Sequence, residues 1–275
     1  MQSHGLQFQK QFGQNFLISP AVPARIAEEA GENVLEIGPG IGTLTRELCL
    51  RADRVECVEI DRGLIPVLEQ TLAEFDNVHV TNADIMQLDI AAFIRESFGD
   101  GRVTVCANLP YYITTPVIMA LLESGAPIDR ITVMVQKEVA ARLCTKPGTA
   151  EYGAISAAVA WYGRAEKLFD VPAGCFLPKP KVDSSVIRIT LGGGARENIG
   201  CRDERLMFRL ISAAFGMRRK TLVNAVSASF SHFSKEKLAK IIEDAGLSPT
   251  VRGERLSVSD YARLADMMDE AAENE

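Results

Sequence analysis

Between residues 33 and 143, short β-branched runs alternate with helical stretches, and no other feature of the chain limits its fold so tightly. NVLEI (33–37), RVECVEI (54–60), NVHVT (77–81), RVTVCA (102–107) and RITVMVQ (130–136) read as five strands. Helical patterns follow from about Thr43, through about Ala73, from about Thr115 and across KEVAARL (137–143). Strands joined by helical crossovers lie parallel, and a parallel sheet must be covered on both faces. The pattern then changes. YGAISAAVAWYG (152–163) reads as a helix, while RAEKLFDV (164–171) and SSVIRITL (184–191) read as strands with no helix between them, which pairs them antiparallel. GGGA (192–195) reads as a linker, and only helical patterns follow it: 203–215, 218–229, 235–245 and 259–271. The expectation is an α/β domain over 1–194, with an irregular arm at 1–17 and a mostly parallel sheet ending in an antiparallel strand. A small helical domain over 195–275 completes the chain.

Composition narrows the class. The chain has 275 residues and a net charge of −6. No run of about 18 apolar residues is present, and MQSHGLQFQKQFG has no long apolar stretch, so neither a membrane span nor a signal peptide is expected. Six scattered cysteines without a CxxC pair argue against a metal site and a disulfide framework, which fits a cytoplasmic protein. Charge is uneven: residues 202–255 carry eleven basic and six acidic side chains, a local excess suited to phosphate.

The first strand runs into EIGPGIGTLT, with Gly38, Gly40 and Gly42 between strand and helix. Glycine permits a tight turn and close backbone approach to a ligand. Glu59 ends the second strand 21 residues after Gly38, near the spacing of a carboxylate that takes ribose hydroxyls. The glycines are not spaced as G-x-G-x-x-G, which weakens a nicotinamide-dehydrogenase reading, and Glu36 just before them would repel a pyrophosphate. A carboxylate there suits a cation, and S-adenosyl-L-methionine carries a sulfonium and an ammonium group. Asp84, after the third strand, is either turn chemistry or an acceptor for the adenine amine of that cofactor.

Asn108 closes the fourth strand, where a parallel sheet places its ligand crevice. Asn108, Leu109, Pro110 and Tyr111 resemble the tetrapeptide of methyltransferases that act on amino groups conjugated to a planar ring. Such an amine is a poor nucleophile because its lone pair is delocalised. The Asn108 side-chain oxygen and the Leu109 carbonyl can accept its two N–H bonds and favour a localised lone pair. Tyr111 can stack on the base, worth roughly 1–3 kcal/mol, and Pro110 stiffens the turn.

The ordered set KQFGQNFL (10–17), EIGPGIGTLT (36–45), NLPYYITTP (108–116), QKEVAARL (136–143), FLPKPKVDSSV (176–186), RRKTL (218–222) and RGERLSVSDYARL (252–264) resembles the ribosomal RNA small-subunit adenine dimethyltransferase A family over residues 10–265. The resemblance implies a Rossmann-like class I methyltransferase fold and dimethylation of two adjacent adenosines near the 3′ end of 16S rRNA, within the small subunit or its precursor. It implies cofactor contacts from Asn15, Leu17, Gly38, Glu59, Asp84 and Asn108, with Gly40 in the same turn. It also implies a second stacking ring from Phe176. Lys179 and Lys181, and the triplet Arg218, Arg219 and Lys220 at the start of a helix, are candidate phosphate contacts. A monomer is expected. Two rivals share parts of the pattern: a large-subunit adenine methyltransferase of the erythromycin-resistance type, and a non-catalytic assembly factor.

Overall fold

The computed structural model describes residues 16–273. The chain divides into two compact units. The first runs to Ala140 and adds Glu166–Leu191; the second takes Ala141–Ala165 and the chain from Gly192 onward.

In chain order the elements up to the last strand are β1 (Phe16–Leu17), α1 (Ala21–Ala27), β2 (Asn33–Ile37), α2 (Thr43–Cys49), β3 (Arg54–Glu59), α3 (Ile65–Thr71), β4 (Val78–Asn82), α4 (Ile90–Phe98), β5 (Val103–Asn108), α5 (Thr114–Glu123), β6 (Ile128–Gln136), α6 (Lys137–Leu143), α7 (Ala154–Tyr162), β7 (Gly163–Val171), β8 (Phe176–Leu177) and β9 (Ser184–Leu191). Seven strands form one sheet in the order β4-β3-β2-β5-β6-β9-β7. The pairs from β4 to β6 are parallel, and β9 lies antiparallel to β6. Between β9 and β7, Ser185 bonds Asp170 while Arg188 bonds Glu166, so residue numbers rise on one strand as they fall on the other. That is the antiparallel pairing expected for these two runs.

The central strand β5 is buried at every residue from Val103 to Ala107, which is why VTVCA is a continuous apolar run rather than an alternating one. Cys57 and Cys106 are fully buried and serve as small core residues. The chain moves outward from β2 to β4, then returns to β5 on the other side of β2. The two strands that diverge there are in register, Ile37 opposite Ala107, so the glycine turn after β2 and Asn108 at the end of β5 open side by side.

The second unit contains α7, then α8 (Ala195–Asn198), α9 (Glu204–Gly216), α10 (Leu222–Val226), α11 (Lys235–Asp244) and α12 (Val258–Glu273). Its core joins Tyr152, Trp161, Leu210, Phe230 and Tyr261. Ser257 and Asp260 cap α12 reciprocally: the Ser257 amide reaches Asp260 (2.9 Å) and the Asp260 amide reaches Ser257 (3.2 Å). No helix among the described residues is long and apolar enough to cross a membrane.

Four expectations differ from what is observed. Where one boundary near residue 194 is expected, α7 packs through Trp161 and Tyr152 with the C-terminal helices, because its apolar face matches theirs. GGGA is not a loose linker: a Cβ on Gly194 would lie 2.4 Å from the Trp161 carbonyl oxygen, so this glycine is a packing point. The helix expected over 218–229 is interrupted, since residues 217–221 form a turn closed by Lys220 N–H to the Met217 carbonyl (2.8 Å). Thr221 is extended, and α10 starts only at Leu222. Helices α1 and α4 have no counterpart in the sequence reading; Asp89 caps α4 by accepting from Ala92 N–H at 2.9 Å.

Candidate active site

A pocket opens at the carboxyl ends of β2, β3, β4 and β5, built wholly from the first unit. Leu17, Gly38, Gly40, Glu59, Asp84, Asn108, Leu109, Pro110, Tyr111 and Phe176 all line it, joined by Glu36, Met86 and Tyr112. The described cofactor and substrate-base candidates of this unit thus converge on one cavity, its two lysine candidates excepted. Asn15 lies outside the described residues.

The glycine turn makes the floor. Gly38 is left-handed (φ +69°), and a Cβ there would meet nothing within 4 Å, so the chain conformation alone demands glycine. At Gly42 (φ +85°) a Cβ would also press on Thr71 and Leu68 of α3 at 3.2 and 3.3 Å. Glu59 ends β3 with both carboxylate oxygens anchored, one to Gly40 N–H (3.0 Å) and one to Asp61 N–H (2.8 Å). The remaining lone pairs of a carboxylate can still accept ligand hydroxyls. Burial raises its pKa, opposed by the amides of Asp61 and Gly40. Asp84 accepts from Met86 N–H at 3.0 Å, so it is turn chemistry and a lining residue at once.

Glu36 is buried to 1% exposure at the end of β2. Burial pushes its carboxyl up to about 8; Thr45 and Cys57 pull it down, and the Glu59 charge adds to the rise. Three acids line this pocket, and no described lining residue is basic. Such a surface rejects phosphate and favours a cation. The acidic lining, the left-handed glycine floor and the apolar walls therefore fit a cationic cofactor such as S-adenosylmethionine.

Asn108 is half-buried at the end of β5 and Leu109 is 2% exposed. The Pro110 carbonyl accepts from Ile113 N–H (3.1 Å) and the Thr114 hydroxyl (3.2 Å), which locks the turn at the start of α5. The Tyr111 hydroxyl is held against Ser184 at the start of β9, 2.9 Å away. Phe176 is 3% exposed and sits opposite Leu17 in the small β1–β8 ladder. That ladder explains why Leu17 lines the pocket, a placement that no local pattern reveals. Ser184, Met86 and Tyr112 are site residues the sequence reading did not single out; Tyr112 and Ser184 lie within NLPYYITTP and FLPKPKVDSSV.

The basic candidates fall elsewhere. Lys179 and Lys181 are exposed on the loop between β8 and β9. In the second unit, Arg218 is committed to structure: it pairs with Glu254 (2.7 Å) and donates to the carbonyls of Thr149 (3.2 Å) and Ala150 (2.6 Å). Arg219 and Lys220 are exposed. The triplet is thus split between one anchor and two solvent-facing cations.

Known proteins share this layout. The family model described as ribosomal RNA adenine dimethylase matches residues 5–270. The ribosomal RNA small subunit methyltransferase A of Lachnoclostridium phytofermentans is 49% identical, covering 96% of this chain and 92% of its own length. The protein of the same name from Streptococcus pneumoniae is 44% identical, covering 98% and 94%. Among solved structures, a dimethyladenosine transferase from Plasmodium falciparum superposes with a TM-score of 0.78 at 22% identity, covering 94% of this chain and 98% of that one. The 23S rRNA methyltransferase ErmE superposes with a TM-score of 0.64 at 25% identity, covering 93% and 100%.

Proposed function

The chain belongs to the ribosomal RNA adenine dimethylase family, and on that premise we propose that it dimethylates two adjacent adenosines near the 3′ end of 16S rRNA. It is an S-adenosylmethionine-dependent rRNA adenine dimethyltransferase, and its product is N6,N6-dimethyladenosine formed during small-subunit biogenesis. The observation that carries this reading is the meeting, in one pocket, of the Asn108–Tyr111 turn with an acid-lined cradle in which no described lining residue is basic.

S-adenosylmethionine supplies an electrophilic methyl group on a sulfonium. The protein's own residues do the rest. Tyr111 and Phe176 take the two faces of the target adenine. The Asn108 side-chain oxygen and the Leu109 carbonyl accept the N–H bonds of its 6-amino group, which favours a lone pair localised on nitrogen. Tyr111 is fixed by Ser184, and Pro110 is locked by Ile113 and Thr114, so the stacking ring and the turn that carries it are held before the substrate arrives. The amine proton becomes acidic only as the methyl is acquired, so water can take it and no strong base is required.

The substrate we assign is the small ribosomal subunit or its precursor, met in the cytoplasm by a monomer. The second unit, with Arg219 and Lys220, and the loop carrying Lys179 and Lys181 are assigned to phosphate contact. The similarity to ErmE makes large-subunit rRNA the rival substrate. Relatives of 40% identity and above that carry the small-subunit name favour the first reading. Incubation with labelled cofactor and unmethylated small or large subunits, followed by digestion to nucleosides, separates them. Label is expected as N6,N6-dimethyladenosine from small subunits only; label confined to large subunits, or none, would overturn the proposal.

A further inference from the structure

Tyr112 follows Tyr111 in the turn and lines the same pocket, yet it is 62% exposed. Its neighbour is tied inward to Ser184, and Phe176 is almost fully covered. The turn closed from Ile113 to Pro110 makes successive side chains diverge, one into the pocket and one to its mouth. Exposed apolar side chains gather at this mouth. Nine large ones are exposed among the described residues, and three of them, Ile60, Met86 and Tyr112, line the pocket. A cluster of that kind marks a contact surface. Of the three, only Tyr112 offers an aromatic face.

Resting on the function proposed above, we propose that Tyr112 is a stacking platform for the base adjacent to the target adenosine. Moving one adenine out of a stack into the pocket strips its neighbour of one stacking face, at a cost of a few kcal/mol. Two adjacent adenosines are modified in turn, so the neighbour of either target is a purine with a large π surface. The described pocket lining has no basic residue to grip the phosphate beside it. The lining itself thus offers the neighbouring nucleotide an uncharged contact, and a tyrosine ring replaces the missing stack. Tyr112 is on this account a positioning residue: it acts on how the substrate is held and leaves the transfer step to Asn108 and Leu109.

The test uses the full-length protein and unmethylated small subunits with Tyr112→Ala, Tyr112→Gln, Tyr112→Phe and Tyr112→Trp. Base–aromatic stacking predicts that Ala raises the KM for subunits about tenfold with kcat nearly kept. Gln, with similar reach and no π face, should reproduce that loss, while Phe and Trp should restore wild-type KM. S-adenosylmethionine affinity by calorimetry should be equal in all five proteins. Wild-type KM in both Ala and Gln variants would overturn the assignment, as would a Phe variant as weak as Ala, or a parallel loss of cofactor affinity. Failure of the wild-type protein to methylate small subunits would instead remove the proposed function, and this platform with it.

Discussion

Glu36 is the side chain on which the electrostatics of the pocket turn. It is the penultimate residue of β2, fully enclosed, its Oε2 accepting from the Cys57 thiol at 3.7 Å, with Thr45 and Glu59 as its other polar neighbours. Burial lifts its carboxyl from 4.5 to about 8, so it carries a proton at neutral pH until a cation is near. Between those two values the native state keeps a proton that the unfolded chain has released. Stability therefore falls as pH rises through that window and levels off above about 8. Thermal unfolding of the ligand-free protein should show Glu36→Gln close to wild type near pH 5 and increasingly more stable than wild type toward pH 9. A cationic ligand favours the ionised carboxyl, so S-adenosylmethionine should bind wild type more tightly as pH rises, a trend the Gln variant should lose. A stability difference that stays constant from pH 5 to 9 would show that Glu36 does not titrate in this way. Glu59 tells a different story at the same scale. Its spacing from Gly38 is legible in the chain, and the structure puts it in the pocket, braced by Gly40 and Asp61.

Among the elements, the turn from Met217 to Thr221 separates structural from surface charge. Arg218 spans Glu254 and the carbonyls at 149 and 150, tying two loops of the second unit together. Its side chain is 37% exposed, so solvent discounts the ion pair. Arg218→Ala should still cost about 1–2 kcal/mol in denaturant unfolding, because it leaves Glu254 and two carbonyls without their donor. Arg219→Ala with Lys220→Ala should leave stability unchanged and weaken binding to small subunits. The salt slope of that binding should fall by roughly one for each phosphate no longer neutralised. An unaltered slope would move the RNA surface to Lys179 and Lys181. The sequence reads this turn as the start of a helix because RRKTLVNAV has helical periodicity; the anchoring of Arg218 depends on Glu254, a partner 36 residues away. The same limit recurs elsewhere. The parallel strands are legible because each is a local apolar run. The β1–β8 ladder that brings Leu17 to Phe176 joins two-residue strands about 160 positions apart, which no local pattern encodes. Gly194 reads as a linker because its contact with the Trp161 backbone is visible only in three dimensions. The S-x-x-D signature of α12, by contrast, is local, and the start expected near residue 259 agrees with the observed cap.

At the scale of the molecule, an acidic chain of net charge −6 carries a basic excess between residues 202 and 255 and a cation-seeking pocket in its other unit. The division of labour follows from that distribution. In the reading proposed above, the first unit holds the cationic cofactor and presents two acceptors to a planar amine, while the second meets the phosphate backbone. Substitutions at Arg219 and Lys220 should for this reason leave S-adenosylmethionine affinity untouched, since every lining residue of the pocket belongs to the first unit. The function proposed for the site gives Asn108 and Leu109 the task of directing methyl transfer to the amino groups of two adjacent adenosines. Its most direct test is mass mapping of modified nucleotides after incubation of unmethylated small subunits with labelled cofactor and either the wild-type protein or Asn108→Ala. Two neighbouring dimethylated adenosines near the 3′ end of 16S rRNA are expected with the wild type, and almost no methylation with the variant at saturating cofactor and subunit. Methyl groups on any other nucleotide, or near-normal transfer by Asn108→Ala, would contradict it.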